Sequence, residues 1–178
     1  GFESQEQAEQ HRQLGLQMLD SYYDQQAERK GIVRTLFTER LLRKDMGRFV
    51  LIGRLDRVDE YPDGTLEIID YKSGRDEVTY EQIQDDFALV CYQLLLRHHY
   101  PNRPILATIV ALRTGAQATT FLTPTEVQEM EEIVRLLGEE ILDRDFENLV
   151  PQFKPLCRVC EFLPLCLQNP EFSVEPTS

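Results

Sequence analysis

No stretch of this 178-residue chain approaches the roughly 20 consecutive apolar residues that a bilayer-spanning helix needs. Its opening, GFESQEQAEQ, is polar and acidic, without the basic start and apolar centre of a signal peptide. The chain begins on Gly rather than Met, as expected of an excised domain or a processed chain. Internal repeats and low-complexity blocks are also lacking. A single domain over residues 1–178 is therefore expected, with an N-terminal helix in 1–30, a core in 31–145 and a tail in 146–178. A cytoplasmic setting away from membranes is expected. Positive charge is scarce: 19 Lys and Arg stand against 31 Asp and Glu, a net charge of −12. That argues against a general basic coat for nucleic acid. It leaves room for one site where a bound cation or a local Arg/Lys cluster reverses the field. Cysteine is scarce too, and unevenly placed. Of the four, Cys157, Cys160 and Cys166 crowd near the C-terminus, where a cytoplasmic setting favours metal or cluster ligation over disulfides. Cys91 lies on a predicted apolar helix stripe and reads as a buried core thiol.

What is present is ordinary for a globular chain, 42% hydrophobic and 28% charged. Residues 4–30 carry a helical pattern in Ala8, Leu14, Met18, Leu19 and Tyr22, with Gly31 as the stop. Strands are predicted over 34–42, 49–59 and 65–72, the last two joined by the turn Tyr61-Pro62-Asp63-Gly64. One helix is predicted over 80–99, with Ile83, Phe87, Val90, Cys91 and Leu94 as its apolar stripe. His98 and His99 then complement its C-terminal dipole. Strands follow over 104–113 and 119–122. Thr123-Pro124-Thr125-Glu126 is a capping box with Pro at the first helical position. It opens a helix to about residue 142, with Val127, Met130, Val134, Leu137 and Ile141 facing inward. The sum is an α/β fold, a mixed central sheet flanked by helices.

The hairpin GRLDRVDEYPDGTLEIIDYKSG, residues 53–74, holds the chemistry. A two-residue turn would demand positive φ at Pro62, which proline cannot adopt. A three-residue loop with a left-handed Gly64 sets Tyr61 against Thr65. Counting outward, Val58 faces Ile68, Asp56 faces Asp70 and Arg54 faces Lys72. On a regular strand these four charged residues share one face with Val50, Ile52, Val58, Leu66 and Ile68. Two carboxylates directly opposite each other repel. A hard divalent cation such as Mg²⁺ reverses that, taking carboxylate oxygens together with water and phosphate. An Asp–Lys–Arg ion-pair network at the sheet end is the alternative reading of the same cluster.

The strand GRLDRVD followed by IIDYKSG resembles motifs of the PD-(D/E)XK nuclease superfamily, in particular its RecB-like branch. That branch includes helicase–nuclease C-terminal domains and the cysteine-bearing CRISPR-associated nucleases. The resemblance extends through ATIVALRTG to CRVCEFLPLC. It implies a restriction-endonuclease-like core with a cysteine-bearing tail, and Mg²⁺- or Mn²⁺-dependent hydrolysis of DNA phosphodiesters. Exonuclease action is favoured over endonuclease, in DNA repair or recombination beside a helicase. The alternatives are a non-catalytic DNA-binding or scaffolding module of the same fold and a CRISPR-associated spacer-processing nuclease. By the resemblance, Asp56 and Asp70 are metal ligands together with the Tyr71 carbonyl, and Lys72 is the catalytic lysine. His11 is the candidate for the family's helical histidine ligand. Tyr92 fits a helical tyrosine of the family. Ala88 stands where that pattern has Gln, and Gln84 lies one turn earlier. Arg54, Ser73, Arg75 and Tyr92 are the expected DNA contacts. The resemblance also implies a [4Fe–4S] cluster on Cys157, Cys160 and Cys166 with a fourth ligand elsewhere. Zinc is the chemical alternative, and free reduced thiols the plain one.

Overall fold

The computed structural model describes residues 2–74, 77–84 and 86–173, without the side chains of Glu28 and Gln82. Its elements in chain order are α1 (Gln5–Arg29), β1 (Arg34–Asp45), β2 (Val50–Glu60), β3 (Leu66–Lys72), α2 (Tyr80–Gln84), α3 (Phe87–His99), β4 (Ile105–Ala111), β5 (Gln117–Thr120) and α4 (Pro124–Asp143). A 3₁₀ turn (Pro155–Val159) and the short α5 (Leu163–Cys166) follow. The five strands form one sheet in the order β1-β2-β3-β4-β5. Every pairing is antiparallel except β3–β4, which is parallel. Parallel neighbours need a crossover, and α2 and α3 supply it. The sheet is thus mixed, with helices on its faces. The chain divides into two compact units, Gly1–Glu139 and Glu140–Ser178.

The core lies between the sheet and α3. Leu55, Val58, Leu66, Ile68, Ile105, Ala107 and Ile109 meet Leu89, Leu95 and Leu96 there, all buried. A second cluster joins Met46, Val90, Leu94 and Val134, with Phe49, Cys91 and Met130 packed against it. Burial of this apolar surface dominates the stabilisation, at roughly 25 cal/mol per Å². No helix among the described residues is long and apolar enough to cross a membrane.

Several boundaries differ from the sequence expectation. The segment 80–99 is two helices rather than one. Asp86 is the N-cap of α3, its Oδ1 accepting the Leu89 N–H at 3.2 Å, so the helical ladder restarts there. Phe87, expected on the buried stripe, is exposed, as are Leu137 and Ile141 of α4. The capping box of α4 forms as expected. Thr123 N–H donates to Glu126 Oε2 at 2.8 Å, and Glu126 N–H to Thr123 Oγ1 at 3.3 Å.

Candidate active site

The hairpin turn has the geometry that Pro62 and Gly64 require. Gly64 has φ 91°, its N–H donates to the Tyr61 carbonyl at 2.9 Å, and Tyr61 N–H donates to the Thr65 carbonyl at 2.9 Å. The resulting register sets Val58 against Ile68 and Arg57 against Ile69. The β2–β3 pairing ends at that point. One step further, Asp56 Oδ2 accepts the Tyr71 N–H at 2.9 Å, a side-chain bond where the ladder stops.

At Asp56 the alternation of β2 reverses. Leu55 and Val58, three apart, both enter the core against α3, which a regular strand with period two does not allow. Across the sheet, Thr38 pairs Arg57 and Arg40 pairs Leu55, which leaves Glu39 opposite Asp56. Glu39 has φ 49°, in the left-handed region where a non-glycine residue is strained. The reversal corrects part of the expectation. Gly53 now faces α3 so closely that a Cβ there would lie 2.6 Å from Leu95 Cδ1 and 3.0 Å from Tyr92 Cε1. Arg54 therefore turns to the opposite face and is exposed, as are Val50 and Ile52. Arg54 does not share a face with Asp70 and Lys72.

Two expected residues, Asp70 and Lys72, meet as an ion pair. Asp70 is 5% exposed, and Lys72 Nζ lies 2.6 Å from its Oδ2. That oxygen is buried and receives no hydrogen bond of proper geometry. Burial pushes the Asp70 carboxyl above the usual carboxylate range; Lys72 opposes the shift, and the charges of Asp56 and Asp86 add to it. Burial alone would lower the Lys72 ammonium pKa, but the Asp70 pair outweighs it and the net direction is upward. Tyr92, half-buried on α3 against Gly53, has its phenol pushed up by burial and then by the Asp70 charge.

Other expectations fall elsewhere. His11 is exposed on α1, its Nδ1 within 2.8 Å of the Gln7 carbonyl and its ring 5.1 Å from that of Phe2, so its contacts are with its own end of the chain. Gln84 ends α2 and is not one turn before Ala88 on the same helix, because Asp86 caps α3 between them. Ala88 is exposed. Ser73 is exposed at the end of β3, its carbonyl accepting Arg113 Nε at 2.9 Å. Arg75 lies outside the described residues. In the C-terminal unit the Lys154 N–H donates to Cys157 Sγ at 3.3 Å and Cys160 is exposed. Among the described residues, no group of three or more His, Cys, Asp or Glu is placed to hold a metal ion. Neither an Asp56–Asp70–His11 triad nor a preformed three-cysteine site is therefore present among them.

Two residues beside the site escaped the sequence reading. Asp86 looked like a mid-helix acid, and an acid standing before an apolar run is an N-cap signal that could have found it. Arg113 follows β4 and reaches the end of β3 only because the parallel pairing brings those strand ends together.

The PD-(D/E)XK nuclease superfamily matches residues 1–167. The chain belongs to this superfamily. It is also similar to the crystal structure of SSO0001, with 17% identity over 89% of this chain and 77% of that one, at a TM-score of 0.49. No curated protein matches the chain. The match covers the hairpin, the crossover helices and the tail cysteines of this PD-(D/E)XK chain. Superfamily members typically use divalent metals.

Proposed function

We propose that this chain is a metal-dependent deoxyribonuclease domain of the PD-(D/E)XK superfamily. Asp56, Asp70 and the Tyr71 carbonyl would hold Mg²⁺ or Mn²⁺. The observation that carries this reading is the buried Asp70 carboxylate, whose Oδ2 meets Lys72 Nζ at 2.6 Å while the neighbouring Asp56 adds a second negative charge. A buried carboxylate beside a second carboxylate is costly, a single ammonium leaves one negative charge uncompensated, and a divalent cation is the partner that would offset it. Two carboxylates and a carbonyl are oxygen donors of the kind Mg²⁺ takes, with water and substrate phosphate completing the shell. When bound, such a cation lowers the pKa of a coordinated water and withdraws charge from the phosphodiester.

The chain's own residues do the rest. Lys72 places its ammonium where negative charge develops on the phosphate, and its ion pair with Asp70 fixes it there. The Tyr71 N–H holds Asp56 in orientation. The half-buried Tyr92 and the wall of α3 limit water on one side. Exonucleolytic action at DNA ends and work beside a helicase rest on the resemblance of the hairpin to RecB-like domains. A non-catalytic DNA-binding module is the second reading, favoured by His11 lying among its own helix contacts and by the exposed Ala88.

Labelled single- and double-stranded DNA with Mn²⁺ separates the two. Cleavage by wild type that falls about 10²- to 10³-fold in Lys72→Ala and is lost in Asp70→Ala supports the enzyme. Equal, background cleavage by all three proteins, with retained DNA binding, supports the non-catalytic module.

A further inference from the structure

Tyr71 stands between the two charged residues of the proposed site, yet its side chain leaves that face. Asp70 and Lys72 are on the core side of β3; the Tyr71 phenol crosses to the side covered by α1. There its hydroxyl lies 2.6 Å from that of Tyr22, with the rings at 87° and 5.4 Å between centroids. Arg57 joins the same group. Its Nη1 donates to the Tyr22 hydroxyl at 3.0 Å and to Gln26 Oε1 at 2.6 Å. Its Nε and Nη2 grip the fully buried Asp59 at 2.7 Å each, and Thr35 Oγ1 donates to Asp59 at 2.9 Å.

The placement of these partners is specific. Arg57 is the chain neighbour of Asp56, and Tyr71 is the neighbour of both Asp70 and Lys72. The β2–β3 ladder stops at Arg57 and Ile69, so beyond it the two strands are joined by the Tyr71 N–H to Asp56 bond. The far-face network takes hold of the two strands just where the ladder lets go. We propose that Tyr22, together with Arg57, is a positioning residue: through the Tyr71 hydroxyl it fixes the Tyr71 peptide, and so sets Asp56 against Asp70 and Lys72. Helix α1 thereby becomes part of the site without touching substrate. The catalytic consequence rests on the nuclease reading; the positional claim does not.

Hydrogen exchange followed by NMR tests the positional claim on the whole chain, without metal or DNA. Tyr22→Phe and Tyr71→Phe each remove one hydroxyl and keep the ring. Either is expected to speed exchange of the Tyr71 amide about tenfold while the Ile68 and Ile109 amides keep their rates, since local opening leaves the core closed. The double variant should match the single ones, because both break one coupling. Tyr23→Phe, on the exposed side of the same helix, should change nothing. Unchanged exchange at Tyr71, or acceleration at all three amides alike, overturns the proposal. In Mn²⁺-dependent cleavage the same variants should lower kcat about tenfold at constant KM. Unchanged kcat with altered exchange overturns the catalytic consequence. A wild type that does not cleave removes the nuclease reading, and the exchange result still decides the positioning.

Discussion

The two faces of β3 are built from opposite materials. Toward α3, Leu66 and Ile68 are fully buried among aliphatic side chains, and the charges of Asp70 and Lys72 appear only at the strand's end. Toward α1, the same strand presents Glu67, Ile69 and Tyr71. Glu67 takes Arg29 Nη2 at 2.5 Å, the Tyr61 hydroxyl at 2.9 Å and Thr108 Oγ1 at 2.6 Å. Beside this network α1 and the sheet enclose a cavity of about 380 Å³ lined by Gln25, Gln26, Arg29, Tyr71 and Gln117. The dry face is held by area, which is forgiving of detail. The polar face is held by directed bonds in which each buried charge depends on its partners. A site beside the first face and tied to the second gains stability from one and orientation from the other.

The largest expected effect breaks the polar face. Asp59→Ala leaves Arg57 with no bidentate partner and Arg29 and Thr35 each one partner poorer; a cost of about 3–5 kcal/mol is expected by urea denaturation. Ile68→Ala on the dry face should cost about 2–5 kcal/mol through lost burial and a residual cavity. If Ile68→Ala proved far costlier than Asp59→Ala, the polar face would be a covering rather than a fastening. Gly53→Ala should cost about 1–3 kcal/mol, because the new methyl meets Leu95 and Tyr92. It should also lower cleavage more than an equally destabilising change far from Tyr92.

The smallest effect is a pH dependence at the seam of the two faces. Burial raises the Asp70 pKa in the folded chain, with Asp56 and Asp86 adding and Lys72 opposing, so the folded form holds that proton more tightly than the unfolded one. Without metal, Asp70 therefore favours folding most at acid pH. Its contribution declines as pH rises from the ordinary carboxylate value through the raised one. In EDTA, the stability of wild type relative to Asp70→Asn should fall across that range and then level off. Mg²⁺ needs the carboxylate, so binding followed by calorimetry should weaken as pH drops through the same window. A flat difference between the two proteins would mean that Asp70 is better solvated than its burial implies.

The hairpin register was legible because Pro62 and Gly64 leave the turn one workable geometry, and the two strands follow by counting. The capping box at Thr123 was legible for the same kind of local reason. The face of Arg54 was not legible. It depends on a reversal at Asp56 opposite the left-handed Glu39, and no local signal in GRLDRVD marks it. The break between α2 and α3 was hidden by apolar spacing that continues through Asp86. The polar side of α1 was hidden because Tyr22, Gln26 and Arg29 look like surface residues until Arg57, Asp59 and Glu67 are set beneath them.

By itself the sequence determined the α/β class, the turn and the carriage of Asp56, Asp70 and Lys72 on two adjacent strands. Each of these follows from short-range sterics and from the period of the side chains. Only the tertiary structure decided which charges meet. The parallel β3–β4 pairing brings Arg113 to the end of β3, the restarted helix brings the Asp86 charge within electrostatic reach of the Asp70–Lys72 pair, and the ladder ends where Tyr71 takes up Asp56. These contacts join residues from about 15 to 40 positions apart, and no local pattern encodes a distance of that length.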